Sequence, residues 1–207
     1  MNKIFGLMKE ADDDTKWAFA CDVHTAILEL YFGKYWSGDT TKFEHSGVEP
    51  LANKINDLKP QRVLDIGCGY NYFKDKLNVP FFEGIDPYND NADIKTDLWT
   101  YEKSNPEPFD VIIALGSINF GPYDKILHEF EMVDRLTKSG GTQFWRVNPG
   151  ITHQHDQFPL IGMVDFFPWN KQIVENLAKV YGYDIKDYQV ERNHNGDERI
   201  YFELYKY

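Results

Sequence analysis

Gly67 and Gly69 stand two positions apart, directly after Val63, Leu64 and Ile66, the apolar run of a short strand buried on both faces. A glycine leaves open space where a Cβ would block a ligand from approaching the backbone, so a strand that runs into this turn suits a nucleotide-like cofactor. Asp65 lies near the carboxyl end of the same strand, on the side where open α/β sheets bind their ligands. Asn71 occupies the next alternate position, and Asn enters the left-handed backbone region more readily than most residues. A second group able to do chemistry is Thr152-His153-Gln154-His155-Asp156, in a long polar and aromatic connection. An imidazole titrates near working pH, so His153 or His155 can serve as a general base. No second ligand cluster with recognisable spacing accompanies the pair, which argues against a metal site.

The elements that must position these residues alternate from Arg62 onward. Apolar or β-branched runs at Val63 to Ile66, Phe81 to Ile85, Val111 to Leu115 and Thr142 to Val147 read as strands. Ile126, Phe130 and Val133 keep helical spacing between Tyr123 and Leu136, with Lys138 as a basic last turn and Ser139-Gly140-Gly141 as a glycine stop. Ile173, Leu177 and Val180 do so again between Asn170 and Gly182. Strand and helix in alternation predict a doubly wound, mostly parallel sheet. The end of the chain departs from that rhythm: Tyr183 to Arg192 and Arg199 to Tyr207 are strand-like, with only six residues between them. Parallel neighbours need a crossover of roughly a dozen residues, so these two must form an antiparallel hairpin, turning at Asn195-Gly196.

About sixty residues precede the sheet and read as helices, one from near Asp14 to Tyr35 and another from near Ser46 that places Leu51, Ile55 and Leu58 on one face. The expected organisation is a helical cap over 1–60 and an α/β core over 61–207, within one structural domain. Trp17, Phe19, Tyr31, Phe32, Tyr35 and Trp36 belong to that cap as core or as a lid over a ligand.

Composition narrows the function. A formal net charge of −11, with 22 basic residues scattered along the chain, opposes binding to nucleic acid. Cys21 and Cys68 are the only cysteines, which excludes a disulfide framework and fits a reducing cytoplasm. No run approaches the ~20 apolar residues of a membrane span, and the short apolar start is not a signal core.

These residues resemble the class I S-adenosylmethionine-dependent methyltransferases over about Arg62 to Tyr207. The family's first motif is an acidic residue and Gly-x-Gly-x-Gly, here Asp65, Gly67 and Gly69 with Asn71 at the third glycine position. The resemblance implies a seven-stranded sheet with an antiparallel last strand, S-adenosyl-L-methionine as cofactor and a small-molecule substrate. It implies that Asp65, Gly67, Cys68, Gly69 and Asn71 hold the cofactor's methionine part. Asp86, which closes Phe81-Phe82-Glu83-Gly84-Ile85 and precedes Pro87, would take both ribose hydroxyls, at the ~20-residue offset from the turn expected of a ribose acid. Asp97-Leu98 resembles the pair that reads adenine. Leu115, Gly116 and Ser117 would pass beside the transferable methyl, and Asn119, Phe120 and Arg146 would face the substrate. The Pro-Pro-aromatic tetrad of amino-methylating nucleic-acid enzymes does not follow the fourth predicted strand.

Two alternatives compete with a methyltransferase. A nicotinamide-dependent oxidoreductase would need a small residue at position 72, where Tyr72 would crowd helix against strand. A non-enzymatic binding module on the same fold remains open because of Asn71. Methyl transfer to a small or medium-sized acceptor is the reading these motifs support best.

Overall fold

A computed structural model describes residues 11–35, 43–150, 164–192 and 197–207, without the side chains of 17, 18, 20, 21, 34 and 35. Six strands form one sheet: β1 (Arg62–Ile66), β2 (Phe81–Ile85), β3 (Phe109–Leu115), β4 (Thr137–Val147), β5 (Tyr183–Arg192) and β6 (Glu198–Lys206). Their order is β2-β1-β3-β4-β6-β5; the first four are mutually parallel, and β6 runs antiparallel to both β4 and β5. The helices are α1 (Asp13–Leu30), which continues into a π-helical turn over Tyr31–Tyr35, α2 (Val48–Leu58), α3 (Leu98–Lys103), α4 (Tyr123–Leu136) and α5 (Lys171–Tyr181).

The hairpin expected at the end of the chain is present, while its turn at Asn195-Gly196 lies outside the described residues. The described sheet has six strands, not seven. Only twelve residues, 86–97, separate β2 from the start of α3, too few for both a helical crossover and another strand. What forms there is a single parallel bridge between Ile85 and Ile94. The segment after the glycine turn likewise folds as successive turns through residue 76 and makes no helix. Tyr72 is therefore exposed beside Tyr70 and crowds nothing, so the steric objection to a nicotinamide cofactor does not hold in this structure.

Alternation along the strands sorts the core onto two faces. Val63, Val111, Ile113, Phe144 and Tyr201 meet Val48, Leu51, Ala52 and Ile55 of α2 on one face. Leu64, Ile112, Ala114, Trp145 and Phe202 meet Ile126, Phe130 and Val133 of α4 and Val174, Leu177 and Ala178 of α5 on the other. Each fully buried Leu or Ile contributes about 1.5–3 kcal/mol, so α2, with little helix-capping support, is held mainly by its apolar face. Polar tethers add to it: Lys54 of α2 pairs with Glu203, and just before the helix the buried Glu191 carboxylate accepts from His45 N at 2.7 Å, Ser46 N at 3.1 Å and Ser46 Oγ at 2.6 Å.

Side-chain caps start α1, α3 and α5, whereas Pro122 precedes α4 without one. Asp12 accepts from Thr15 N at 2.7 Å to start α1, and Asn170 accepts from Ile173 N at 3.1 Å to start α5, which stops at left-handed Gly182. Ile27 and Tyr31 of the first helical stretch pack with Phe120, Val164 and Phe166, beyond the carboxyl end of β3.

Candidate functional site

The turn after β1 is pinned from two sides. Gly67 N and Cys68 N both donate to Ile85 O, at 2.8 and 3.0 Å, and Gly69 N donates to Asp86 Oδ2 at 3.0 Å. Gly67, Gly69 and Asn71 have φ of 67°, 54° and 58°, so three alternate residues occupy the left-handed region and Asn71 tolerates it without being glycine. A Cβ on Gly67 would stand 2.4 Å from Ser117 Cβ, which makes that glycine a steric requirement of the close β1 to β3 approach. The Asn71 side chain turns away from this crevice and donates to Asn91 O at 3.1 Å and Asp93 Oδ2 at 3.2 Å, while Asp93 also contacts Lys74. Gly84 leaves room for it, since a Cβ there would meet Asn71 Oδ1 at 2.5 Å.

Two carboxylates face each other electrostatically across the turn. Asp86 Oδ1 accepts from Tyr88 N at 2.8 Å and Asn89 N at 2.9 Å, and with Gly69 N these bonds hold the carboxylate rigidly beside the turn. Asp65 is 4% exposed and has no hydrogen-bond partner among the described residues. Burial, with a smaller contribution from the Asp86 charge, pushes its carboxyl up to about 8. Burial and then the charges of Asp65 and Asp86 raise the Cys68 thiol as well, which keeps it protonated and unreactive.

Beside this turn lies a cavity of about 390 Å³ that gathers residues from distant parts of the chain. Of the residues singled out in the sequence, Gly67, Asp86, Pro87, Asp97, Leu98, Leu115, Gly116, Ser117, Phe120 and Arg146 line it. Asp65, Cys68, Gly69 and Asn71, in and beside the turn, are not among its lining residues. Asn119 does not reach the cavity: it is fully buried, its Oδ1 accepts from Asn148 N at 2.8 Å and its carbonyl from Phe167 N at 2.8 Å, bracing the chain that leaves β4. Asp97 carries a structural duty too, because it caps α3 by accepting from Thr100 N at 2.6 Å. His153 and His155 lie outside the described residues. Among the described residues no group of three side chains could hold a metal ion, and no helix is long and apolar enough to cross a membrane.

The cavity also recruits residues that the motifs do not indicate. His24, Thr25 and Leu28 of α1 and Phe32 beyond it form one wall, with Phe32 stacked on Tyr88 at 5.1 Å and edge-on to Phe120 at 5.3 Å. His24 Nε2 is buried there without a hydrogen-bond partner among the described residues. Nothing in local spacing reveals these contacts, because they depend on where α1 crosses the sheet. Lys125, Glu129 and Met132 of α4 complete the opposite wall, and here a sequence signal exists: Glu129 falls among the apolar positions of an amphipathic helix. A second cavity of about 560 Å³, at the far edge of the sheet near Lys59 and Gly140, contains none of the motif residues.

No family model matches the chain, and no curated protein matches it by sequence. Solved structures do match its fold. A 1,6-didemethyltoxoflavin-N1-methyltransferase from Burkholderia thailandensis, solved with that compound and S-adenosylhomocysteine, aligns at a TM-score of 0.64 over 95% of this chain and 91% of its own, with 13% identity. Magnesium protoporphyrin IX methyltransferase from Synechocystis, with S-adenosylhomocysteine bound, aligns at 0.66 over 89% of this chain and 100% of its own, again at 13% identity. The chain has the class I S-adenosylmethionine-dependent methyltransferase fold. An S-adenosylmethionine-dependent methyltransferase from Archaeoglobus fulgidus shares it at a TM-score of 0.56 and 15% identity, over 88% of this chain and 99% of that one. At such identities the class I fold is common ground, while substrates differ from one such protein to the next.

Proposed function

We propose that this protein is a methyltransferase that binds S-adenosylmethionine and passes its methyl group to a small or medium-sized acceptor. The observation that carries the reading is Asp65: a buried carboxylate without a hydrogen-bond donor, held beneath a left-handed glycine turn and next to the cavity-lining Asp86. Such a group stays protonated on its own and ionises only against a cation, and the α-ammonium of the cofactor's methionine part is one. The glycine turn admits that part closely, and Asp86, already oriented by three main-chain donors, keeps acceptor capacity for ribose hydroxyls.

When bound, the cofactor supplies a methyl carbon already activated by its sulfonium charge, so alignment and exclusion of water are the main tasks left to the protein. In this reading Leu28 and Phe32, with Tyr88 and Phe120, shield the reacting end, and α1 serves as its helical cover. Gly116 and Ser117 border the transfer path. Arg146, buried at the end of β4 and stacked over Phe43 at 4.4 Å, borders the acceptor. For proton removal from the acceptor the described cavity offers His24, and His153 and His155, outside the described residues, are further candidate bases.

Calorimetric titration with S-adenosylmethionine, S-adenosylhomocysteine and a nicotinamide dinucleotide tests the proposal. Saturable binding of the first two and not the third is the expected result. Binding of the dinucleotide alone, or of none, would overturn it.

A further inference from the structure

Glu129 occupies a position where α4 otherwise turns apolar side chains inward, with Ile126, Phe130, Met132 and Val133 buried around it. Its Oε1 accepts from Lys125 Nζ at 2.6 Å, whereas Oε2 is buried without a hydrogen-bond partner. A buried acceptor left without a donor is destabilising, and a side chain that breaks the helix's apolar pattern without a folding role marks a position kept for binding. Glu129 lines the cavity together with Asp97, Leu98, Trp99 and Met132. The neighbouring His128 packs its ring on Trp99 at 4.7 Å, which fixes α4 against α3 there.

Asp97 spends Oδ1 on its helix cap, and Oδ2 accepts nothing from the described residues. We infer that Glu129 and Asp97 jointly read the exocyclic amine of the nucleobase, Glu129 Oε2 and Asp97 Oδ2 each accepting one of its two N–H donors. This rests on the cofactor reading above and adds a residue of α4 to it. Glu129's carboxyl is raised by burial and further by the Asp97 charge, with Lys125 opposing; an amine donor placed between the two carboxylates relieves both effects. A purine with a carbonyl oxygen at the same place would instead set an acceptor against two acceptors, so the arrangement selects against it.

The test compares S-adenosylhomocysteine with S-inosylhomocysteine, which differ in that amine, by calorimetry. The wild-type protein is expected to prefer the adenosyl compound by at least about a hundredfold. Glu129→Gln is nearly isosteric and its amide can donate to a carbonyl, so it should cut that preference at least about tenfold by weakening the first ligand and strengthening the second. Should that variant fail to fold, Glu129→Met, which suits the buried face of α4, replaces it in the same comparison. A variant that binds S-adenosylhomocysteine with the wild-type preference intact overturns the role of Glu129 alone. A wild-type protein that binds neither compound overturns the cofactor reading and this inference with it.

Discussion

Replacing Asp65 with Asn removes one proton-binding site from beneath the glycine turn after β1. The carboxyl titrates near 8 because it is buried, so at pH 6 it is almost wholly neutral and cannot pair with a cationic amine. A ligand ammonium seated against it favours the ionised form and must therefore expel the proton. If the bound-state value returns to the ordinary carboxylate range, affinity for S-adenosylhomocysteine rises about fiftyfold between pH 6 and pH 8, about 2.3 kcal/mol. Close to one proton leaves per ligand at pH 6.5, measurable by calorimetry in buffers of different ionisation enthalpy. Asp65→Asn should bind at pH 6 with an affinity near that of the wild type and lack this fiftyfold rise. Glu129 is also raised by burial but is common to both proteins, so the difference between them isolates Asp65. A wild-type affinity that is flat from pH 6 to pH 8, or a slope undiminished in Asp65→Asn, would refute the pairing. The same residue links pH to the stability of the ligand-free protein. Its folded value lies above its unfolded one, so its stabilisation is complete below about pH 4 and is lost as pH rises toward 8, at up to about 1.4 kcal/mol per unit. Chemical denaturation across that range should show Asp65→Asn without this component.

Other outcomes follow from single contacts. Asp86→Ala should weaken S-adenosylhomocysteine binding by roughly 1–3 kcal/mol, through the lost acceptor and through release of Gly69, Tyr88 and Asn89 amides; an unchanged affinity removes Asp86 from the site. Gly67→Ala must both hold a positive φ and clear Ser117, so ligand binding should be abolished, with Ser117→Gly restoring only part of it because the backbone strain remains. Full rescue would show that φ strain is negligible there. Glu191→Ala strands the amides of His45 and Ser46 and the Ser46 hydroxyl, and should cost about 2–4 kcal/mol in urea unfolding, whereas a loss below 1 kcal/mol would mean that water replaces the carboxylate without penalty.

The sequence by itself determined the elements whose cause is local. Periodicity placed α4 over Tyr123–Leu136, periodicity and caps placed α5 between Asn170 and Gly182, β2 fell over Phe81–Ile85, and the short link after Arg192 required an antiparallel hairpin, whereas Lys138 to Gly141, expected to end α4, belong to β4. Side-chain chemistry also marked Gly67 and Asp86, because a close approach and a fixed acceptor each permit few residue types. Tertiary structure decided matters that depend on distance along the chain. Twelve residues after β2 proved too short for the strand expected from resemblance, and residues 70–76 became turns because three left-handed conformations interrupt any helix at its start. Asn119 turned inward to brace Asn148, and His24, Phe32 and Glu129 reached one cavity from helices about a hundred residues apart in sequence. Local spacing fixes which face a side chain takes on its own helix or strand, whereas only packing one element over another decides which faces meet.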